Sequence, residues 1–162
     1  MPDSIRWRLL STATINTALI DPIQKSARSE LYAVASRDQA KAQAYAREKG
    51  IAHAYGSYEA MLADPAVDAV YISLPNSLHC EWAVRAAEAG KHILCQKPLA
   101  LTLADCDRII EVVRQTGIKF MMAYQMRRDP SNIVGIPTPA GLHPAPTSAS
   151  CQASPPLPVP SR

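Results

Sequence analysis

The stretch His92-Ile93-Leu94-Cys95-Gln96-Lys97-Pro98-Leu99-Ala100 decides the fold. Ile93, Leu94 and Cys95 form the short continuous apolar run that a strand buried on both faces requires. Pro98 cannot donate to a ladder, so the strand stops there and leaves Lys97 at its carboxyl end. In an open parallel sheet that end is where ligands bind, because strands run into loops and helix N-termini point at the same crevice. A lysine between a strand and a proline is, by itself, an ordinary solvated loop residue. Its neighbours along the chain give it weight.

Working outward, the same pattern repeats. Ile5 to Leu10 reads as a first strand, followed by Ser11-Thr12-Ala13-Thr14 and a helical pattern through Ile15, Leu19 and Ile23. Pro22 falls inside that pattern and is expected to kink or shorten the helix. Glu30 to Ser36 reads as a second strand, and Asp38 caps a helix that Gly50 stops. A short strand over residues 52–55 and a helix from Ser57 to about Leu62 follow. Val70-Tyr71-Ile72-Ser73-Leu74 is another central run, ended by Pro75-Asn76. Ser77 opens a helix whose Trp82, Ala83, Ala86 and Ala87 recur at helical spacing and which Gly90 closes. Thr102 and Asp105 match the S/T-x-x-D/E capping pattern ahead of a helix through Ile109, Ile110 and Val113 that stops by Gly117. Phe120 to Ala123 is a last strand ending at Tyr124.

Strands that alternate with helices of crossover length predict an α/β fold, a doubly wound parallel sheet covered on both faces. Ser11, Ser36, Asn76, Gln96, Lys97 and Tyr124 then share its carboxyl edge. Arg8 conflicts with this reading, because a guanidinium is hard to accommodate in a central strand, and with Pro22 it is expected to cost stability.

Composition narrows the classes. The chain has 162 residues, 48% of them hydrophobic and 19% charged, with a net charge of +3 from scattered basic residues. One domain of ordinary size is the ceiling. No apolar run approaches a membrane span and no basic stripe suggests nucleic acid. No secretory signal is legible and a cytoplasmic location is expected. Cys80, Cys95, Cys106 and Cys151 lack C-x-x-C pairing, so the first three read as reduced, buried or half-buried thiols and no metal site is expected. From Ile136 onward eight prolines are spread through Ala, Ser and Thr with no acid and no lysine. That segment is expected to be a disordered Pro-rich tail over residues 133–162, behind a domain over residues 1–132.

Gln96-Lys97-Pro98, taken with Leu74-Pro75-Asn76-Ser77-Leu78-His79, Ala87-Glu88-Ala89-Gly90-Lys91-His92 and Ala123-Tyr124-Gln125-Met126-Arg127, resembles the Gfo/Idh/MocA oxidoreductase family. Several motifs in the right order and spacing carry the resemblance, over residues 5 to about 132. It implies a Rossmann-like nucleotide-binding domain and hydride transfer between a nicotinamide cofactor and a sugar, cyclitol or related alcohol. By the same resemblance Lys97 is the catalytic residue, bonding to the reacting hydroxyl, and its peptide to Pro98 is often cis. The implied cofactor contacts are Ser11, Thr12, Ala13 and Ile15 in the phosphate turn, Ser36 and Arg37 after the second strand, and Leu74, Asn76, His79, Gln96 and Lys97 around the nicotinamide. The chemistry is sound independently, since an alcohol losing hydride also loses a proton and a cation at the hydroxyl favours the developing alkoxide.

Four departures from the family pattern matter. Gln96 stands where the family normally has Glu. The usual glycines of the phosphate turn fall at Ser11, Ala13 and Asn16, with an upstream glycine at Arg8; part of the family uses a Ser-Thr-Ala turn, and small residues still permit close approach to a pyrophosphate. Arg37 stands near where an NAD site usually puts an acid, so NADP is preferred over NAD, the alternative being a solvated arginine. The family's second, substrate-binding domain does not follow the match, and the sequence reads there as truncated or frame-shifted. The expectations are therefore an oxidoreductase half that needs a second domain for its alcohol, a non-catalytic nucleotide-binding module, or an inactive product prone to self-association through its uncovered face.

Overall fold

The computed structural model describes residues 4–124. Among them β1 (Ile5–Leu9), β2 (Ser29–Ala35), β3 (His53–Tyr55), β4 (Ala69–Ile72), β5 (His92–Gln96) and β6 (Phe120–Ala123) form one sheet in the order β3-β2-β1-β4-β5-β6. Every pairing in it is parallel. The helices are α1 (Thr17–Gln24), α2 (Gln39–Lys49), α3 (Tyr58–Ala63), α4 (His79–Glu88) and α5 (Leu103–Thr116). This is the doubly wound arrangement, whose strand order reverses direction between β1 and β4 and opens a crevice there.

Alternation along the central strands builds two cores. Val70 and Ile72 of β4 pack with Met61 of α3, Trp82 of α4 and Ile109 of α5. Tyr71, between them, packs with Ile20 and Ile23 of α1 and Ala46 of α2. Neighbouring strand residues point to opposite faces, so one four-residue strand serves both layers. Ile72 and Ile109 are 0% and 1% exposed, and burials of this kind each contribute roughly 2 kcal/mol.

The local signals act where the sequence places them. The Asp38 side chain accepts from Lys41 N at the start of α2, Ser57 from Ala60 N at α3, and Thr102 from Asp105 N at α5. The Thr102 hydroxyl also donates to Asp105 Oδ2 at 2.7 Å, so the two side chains of the S/T-x-x-D/E pattern are tied together in the first turn. Gly117 ends α5 with φ +69°, a left-handed stop.

Three expectations are corrected. β4 ends at Ile72, because Ser73 and Leu74 leave the ladder for the crevice. The first helix is split into a 3₁₀ turn, Thr14–Asn16, and α1; Pro22 lies inside α1, near its end, where both it and Ala18, whose carbonyl it leaves without a donor, are exposed. Likewise a 3₁₀ turn, Asn76–Leu78, precedes α4.

Arg8 is the largest correction. It sits in β1 with 0% exposure and is held there by partners. Its guanidinium donates to Met61 O at 3.1 Å, pairs with Asp64 Oδ2 at 2.8 Å, and lies 4.6 Å from the centre of the Tyr32 ring. A buried cation is tolerated when it is paired and hydrogen-bonded, which the two terminal nitrogens of Arg8 are, while its Nε is buried without a hydrogen-bond partner among the described residues. The expected boundary at residue 132 and the Pro-rich tail lie outside the described residues. No helix among the described residues is long and apolar enough to cross a membrane.

Candidate functional site

The carboxyl edge of the sheet brings the expected residues together. Ile15, Leu74, Asn76, Gln96 and Lys97 line one crevice of about 320 Å³, joined by Ser73, Ala123 and Tyr124. They come from four segments: the turn after β1, the loop after β4, the end of β5, and the end of β6. The edge itself makes the site, because each strand runs out into its loop at the same level.

Lys97 is exposed, follows the last residue of β5, and is joined to Pro98 by a cis peptide. Among the described residues its Nζ has no hydrogen-bond or ion-pair partner, so the charge is available to a ligand. Gln96 turns its Oε1 to accept from Lys97 N at 3.0 Å, which fixes the backbone at the lysine without placing a negative charge beside it. Burial raises the pKa of the Tyr71 hydroxyl, and the neighbouring Gln96 side chain opposes that rise. A second, almost wholly apolar recess of about 430 Å³ shares Lys97 and Tyr124 with the first and continues over Leu99, Cys106 and Met122. Lys97 thus stands at the junction of a mixed recess and an apolar one.

The turn after β1 holds Ser11, Thr12 and Ala13. Ser11 is buried, its hydroxyl 2.7 Å from that of Ser73 and accepting from Ala13 N at 3.1 Å. Asn16 is 0% exposed and donates from Nδ2 to Ser11 O at 2.8 Å. No glycine is needed for this shape, since side-chain hydrogen bonds hold it. At the end of β2, Ser36 is buried and its hydroxyl accepts from Asp38 N at 3.3 Å. Arg37 is exposed; burial raises the pKa of the Tyr58 hydroxyl, and the Arg37 cation opposes that rise.

His79 does not face the crevice. It is 0% exposed, with Nδ1 2.8 Å from Pro98 O and Nε2 2.9 Å from Leu74 O. It braces the loop after β4 against the Lys97-Pro98 turn instead of lining the pocket. Sequence reasoning missed Ser73 and the burial of Asn16. A polar residue breaking off the apolar run of β4 just before Pro75-Asn76 was the available signal for Ser73; nothing local marks Asn16.

These positions agree with the relationships of the chain. The model of the Gfo/Idh/MocA group, described as an oxidoreductase family with an NAD-binding Rossmann fold, matches residues 11–124. The chain belongs to this family. It is 46% identical over 129 residues to the oxidoreductase ORF334 of Rhizobium meliloti, covering 79% of this chain and 39% of that protein. It is 43% identical over 122 residues to D-xylose 1-dehydrogenase (NADP(+)) 2 of Haloferax volcanii, covering 75% and 38%. A crystal structure of KijD10, a 3-ketoreductase from Actinomadura kijaniata in complex with NADP and TDP-benzene, superposes with a TM-score of 0.76 at 31% identity, covering 80% of this chain and 40% of that one. The chain therefore spans about two fifths of the length of the relatives it matches. Within the family frame, the stretch that matches is the nucleotide-binding sheet and its carboxyl edge.

Proposed function

We propose that this Gfo/Idh/MocA chain is the nucleotide-binding part of an NAD(P)-dependent oxidoreductase acting on an alcohol of the sugar, cyclitol or diol type. The observation that carries the reading is Lys97, a cation without a partner among the described residues, at the end of β5 on a crevice it shares with Asn76, Gln96 and Tyr124. The relatives named as a xylose dehydrogenase and a ketoreductase support the reaction class.

The residues present fit a dinucleotide. The crevice at the β1/β4 reversal has the size of a nicotinamide ring site, with apolar Ile15, Leu74 and Ala123 for the ring and polar Asn76 and Gln96 for the carboxamide. Ser11, Thr12 and Ala13 present small side chains where a pyrophosphate must approach the backbone. Ser36 and Arg37 stand where the adenosine ribose falls, and the exposed guanidinium suits a 2′-phosphate, which favours NADP over NAD. When bound, the nicotinamide accepts or supplies the hydride. Lys97 Nζ would hold the substrate oxygen by hydrogen bond: in the reducing direction its ammonium would give a proton to the carbonyl oxygen as hydride reaches the carbon, and in the oxidising direction its neutral amine would take the proton of the hydroxyl. Gln96 would keep the backbone of Lys97 oriented. His79 would hold the two loops at their separation. The alcohol itself would be selected by groups outside the described residues.

A second reading, a nucleotide-binding module without turnover, is favoured by Gln96 in place of the family's Glu. One experiment separates the possibilities: titration of the chain with NADPH and NADH, followed by nicotinamide fluorescence and melting temperature, with Arg37→Ala in parallel. Saturable NADPH binding that raises the melting temperature is expected, with NADH weaker and with Arg37→Ala losing about tenfold for NADPH alone, the scale of one or two charge-assisted hydrogen bonds. A folded chain that binds neither nucleotide overturns the proposal. Binding without turnover of any polyol selects the second reading.

A further inference from the structure

The phosphate turn lacks glycine, and its shape depends on a closed ring of side-chain hydrogen bonds between Ser11, Asn16 and Ser73. The proton on every member of that ring can be assigned. Ser73 Oγ donates its single proton to Asn16 Oδ1 at 2.6 Å. The 2.7 Å contact between the Ser11 and Ser73 hydroxyls therefore has Ser11 as donor, with Ser73 O a second, more distant acceptor of the same proton at 3.2 Å. With its own proton used, Ser11 Oγ accepts from Ala13 N. Asn16 Nδ2 closes the ring on Ser11 O. Turning the amide over would set its oxygen against the Ser11 carbonyl oxygen and its NH₂ against the Ser73 hydroxyl proton, so only one orientation satisfies the ring.

All three side chains are buried, Asn16 at 0%, Ser73 at 6% and Ser11 at 9% exposure. A fully satisfied buried polar network specifies one arrangement, because any other leaves a group unpaired at low dielectric. The ring also spans the crevice. Ser11 and Asn16 bracket the turn that carries Thr12, Ala13 and Ile15, while Ser73 leads into the loop that carries Leu74 and Asn76. Ile15 and Leu74 line the same pocket from opposite edges.

We infer that Asn16 is a positioning residue for dinucleotide binding: through Ser73 it holds the phosphate turn in one shape and at one distance from the nicotinamide loop. This rests on the proposed nucleotide site. In it the ring does the work that glycines do in other turns of this kind. Flexible backbone permits close approach there, whereas here a rigid side-chain network presents the turn already formed.

The test uses the full chain with Asn16→Ala and Ser73→Ala, the latter removing only one hydroxyl in case the former does not fold. Two probes are titrated: NADPH, which spans the turn and the nicotinamide loop, and adenosine 2′-monophosphate, which has no pyrophosphate and reaches only the end of β2. Asn16→Ala is expected to weaken NADPH at least tenfold and Ser73→Ala at least threefold, with adenosine 2′-monophosphate within twofold of the unchanged chain. NADPH affinity unchanged in a folded Ser73→Ala chain overturns the inference. So does an equal loss for both probes, which would mark general loosening. If the unchanged chain binds neither probe, the nucleotide site itself is refuted.

Discussion

Asp64→Asn tests whether Arg8 is tolerated in β1 because of its partners. Asp64 sits just after α3, where its Oδ2 meets the Arg8 guanidinium at 2.8 Å and accepts from the Tyr55 hydroxyl. Its Oδ1 accepts from Ala66 N at 2.8 Å. Asparagine keeps the size of the side chain but leaves the buried guanidinium without a counter-charge. Breaking a fully buried pair in this way costs about 3–5 kcal/mol. Asp64's side chain is 21% exposed, and Arg8 retains Met61 O and the Tyr32 ring, so about 2–3 kcal/mol is the appropriate scale. With an unfolding entropy near 2 cal/mol/K per residue over roughly 120 residues, each kcal/mol moves the melting temperature by about 4 °C, which makes the expected drop about 8–12 °C.

The same pair carries a pH signature. The Tyr55 hydroxyl, then the Ala66 N–H, and also the Arg8 guanidinium hold the Asp64 carboxyl below the usual carboxylate range, against a smaller opposing effect of burial. A carboxyl depressed by folding stabilises above its unfolded value, about 4, and loses that contribution as pH falls through its folded value. The gap in melting temperature between the unchanged chain and Asp64→Asn is therefore expected to be full at about pH 6 and to narrow toward about pH 3. Differential scanning calorimetry across that range measures it. A drop under about 3 °C at pH 6, or a gap that stays constant with pH, would refute the claim that Asp64 is what makes Arg8 tolerable.

Lys97→Ala is expected to leave the Kd for NADPH within about twofold, since the lysine serves the substrate oxygen, while abolishing polyol turnover wherever the unchanged protein shows it; an equal loss of both would contradict the role assigned to it. Gly117→Ala introduces a Cβ that meets no atom within 4 Å but keeps a φ of +69°, so it should destabilise by about 1 kcal/mol through backbone strain alone, read as a shift in denaturant midpoint. Burial pushes the Cys95 thiol up to about 12, and at pH 8 iodoacetamide should modify it only after unfolding, as peptide mass spectrometry will show; rapid labelling in the folded chain would contradict its burial.

Much of the scaffold was legible because its signals are local. Thr102 with Asp105, Asp38 before α2, and Gly50 and Gly117 after helices each act within one turn of the residues they cap, so a linear reading reaches them. The apolar runs of β4 and β5 likewise announce central strands, and their common carboxyl edge brings Lys97, Asn76 and Gln96 together from the sequence alone. Where the reading overshot, it did so at strand and helix ends: Leu74 prolongs the apolar pattern past Ser73, but both residues belong to the crevice.

Side chains whose partners are distant in sequence were beyond that reading. Arg8 looked like a defect of β1 because Asp64 and Met61 lie more than fifty residues away. His79 looked like a cofactor contact because the motif around it faces the site, whereas its ring turns inward to Leu74 O and to Pro98 O, nineteen residues on. Asn16 looked like a missing glycine, since Ser73, which makes its burial tolerable, comes from the loop after β4, 57 residues away. Periodicity, caps and breakers are properties of neighbours along the chain, and they were enough for the sheet and the edge on which the site lies. Whether a buried polar group is a fault or a brace depends on what the fold carries to within hydrogen-bond distance of it, and only the assembled sheet settles that for Arg8, His79 and Asn16.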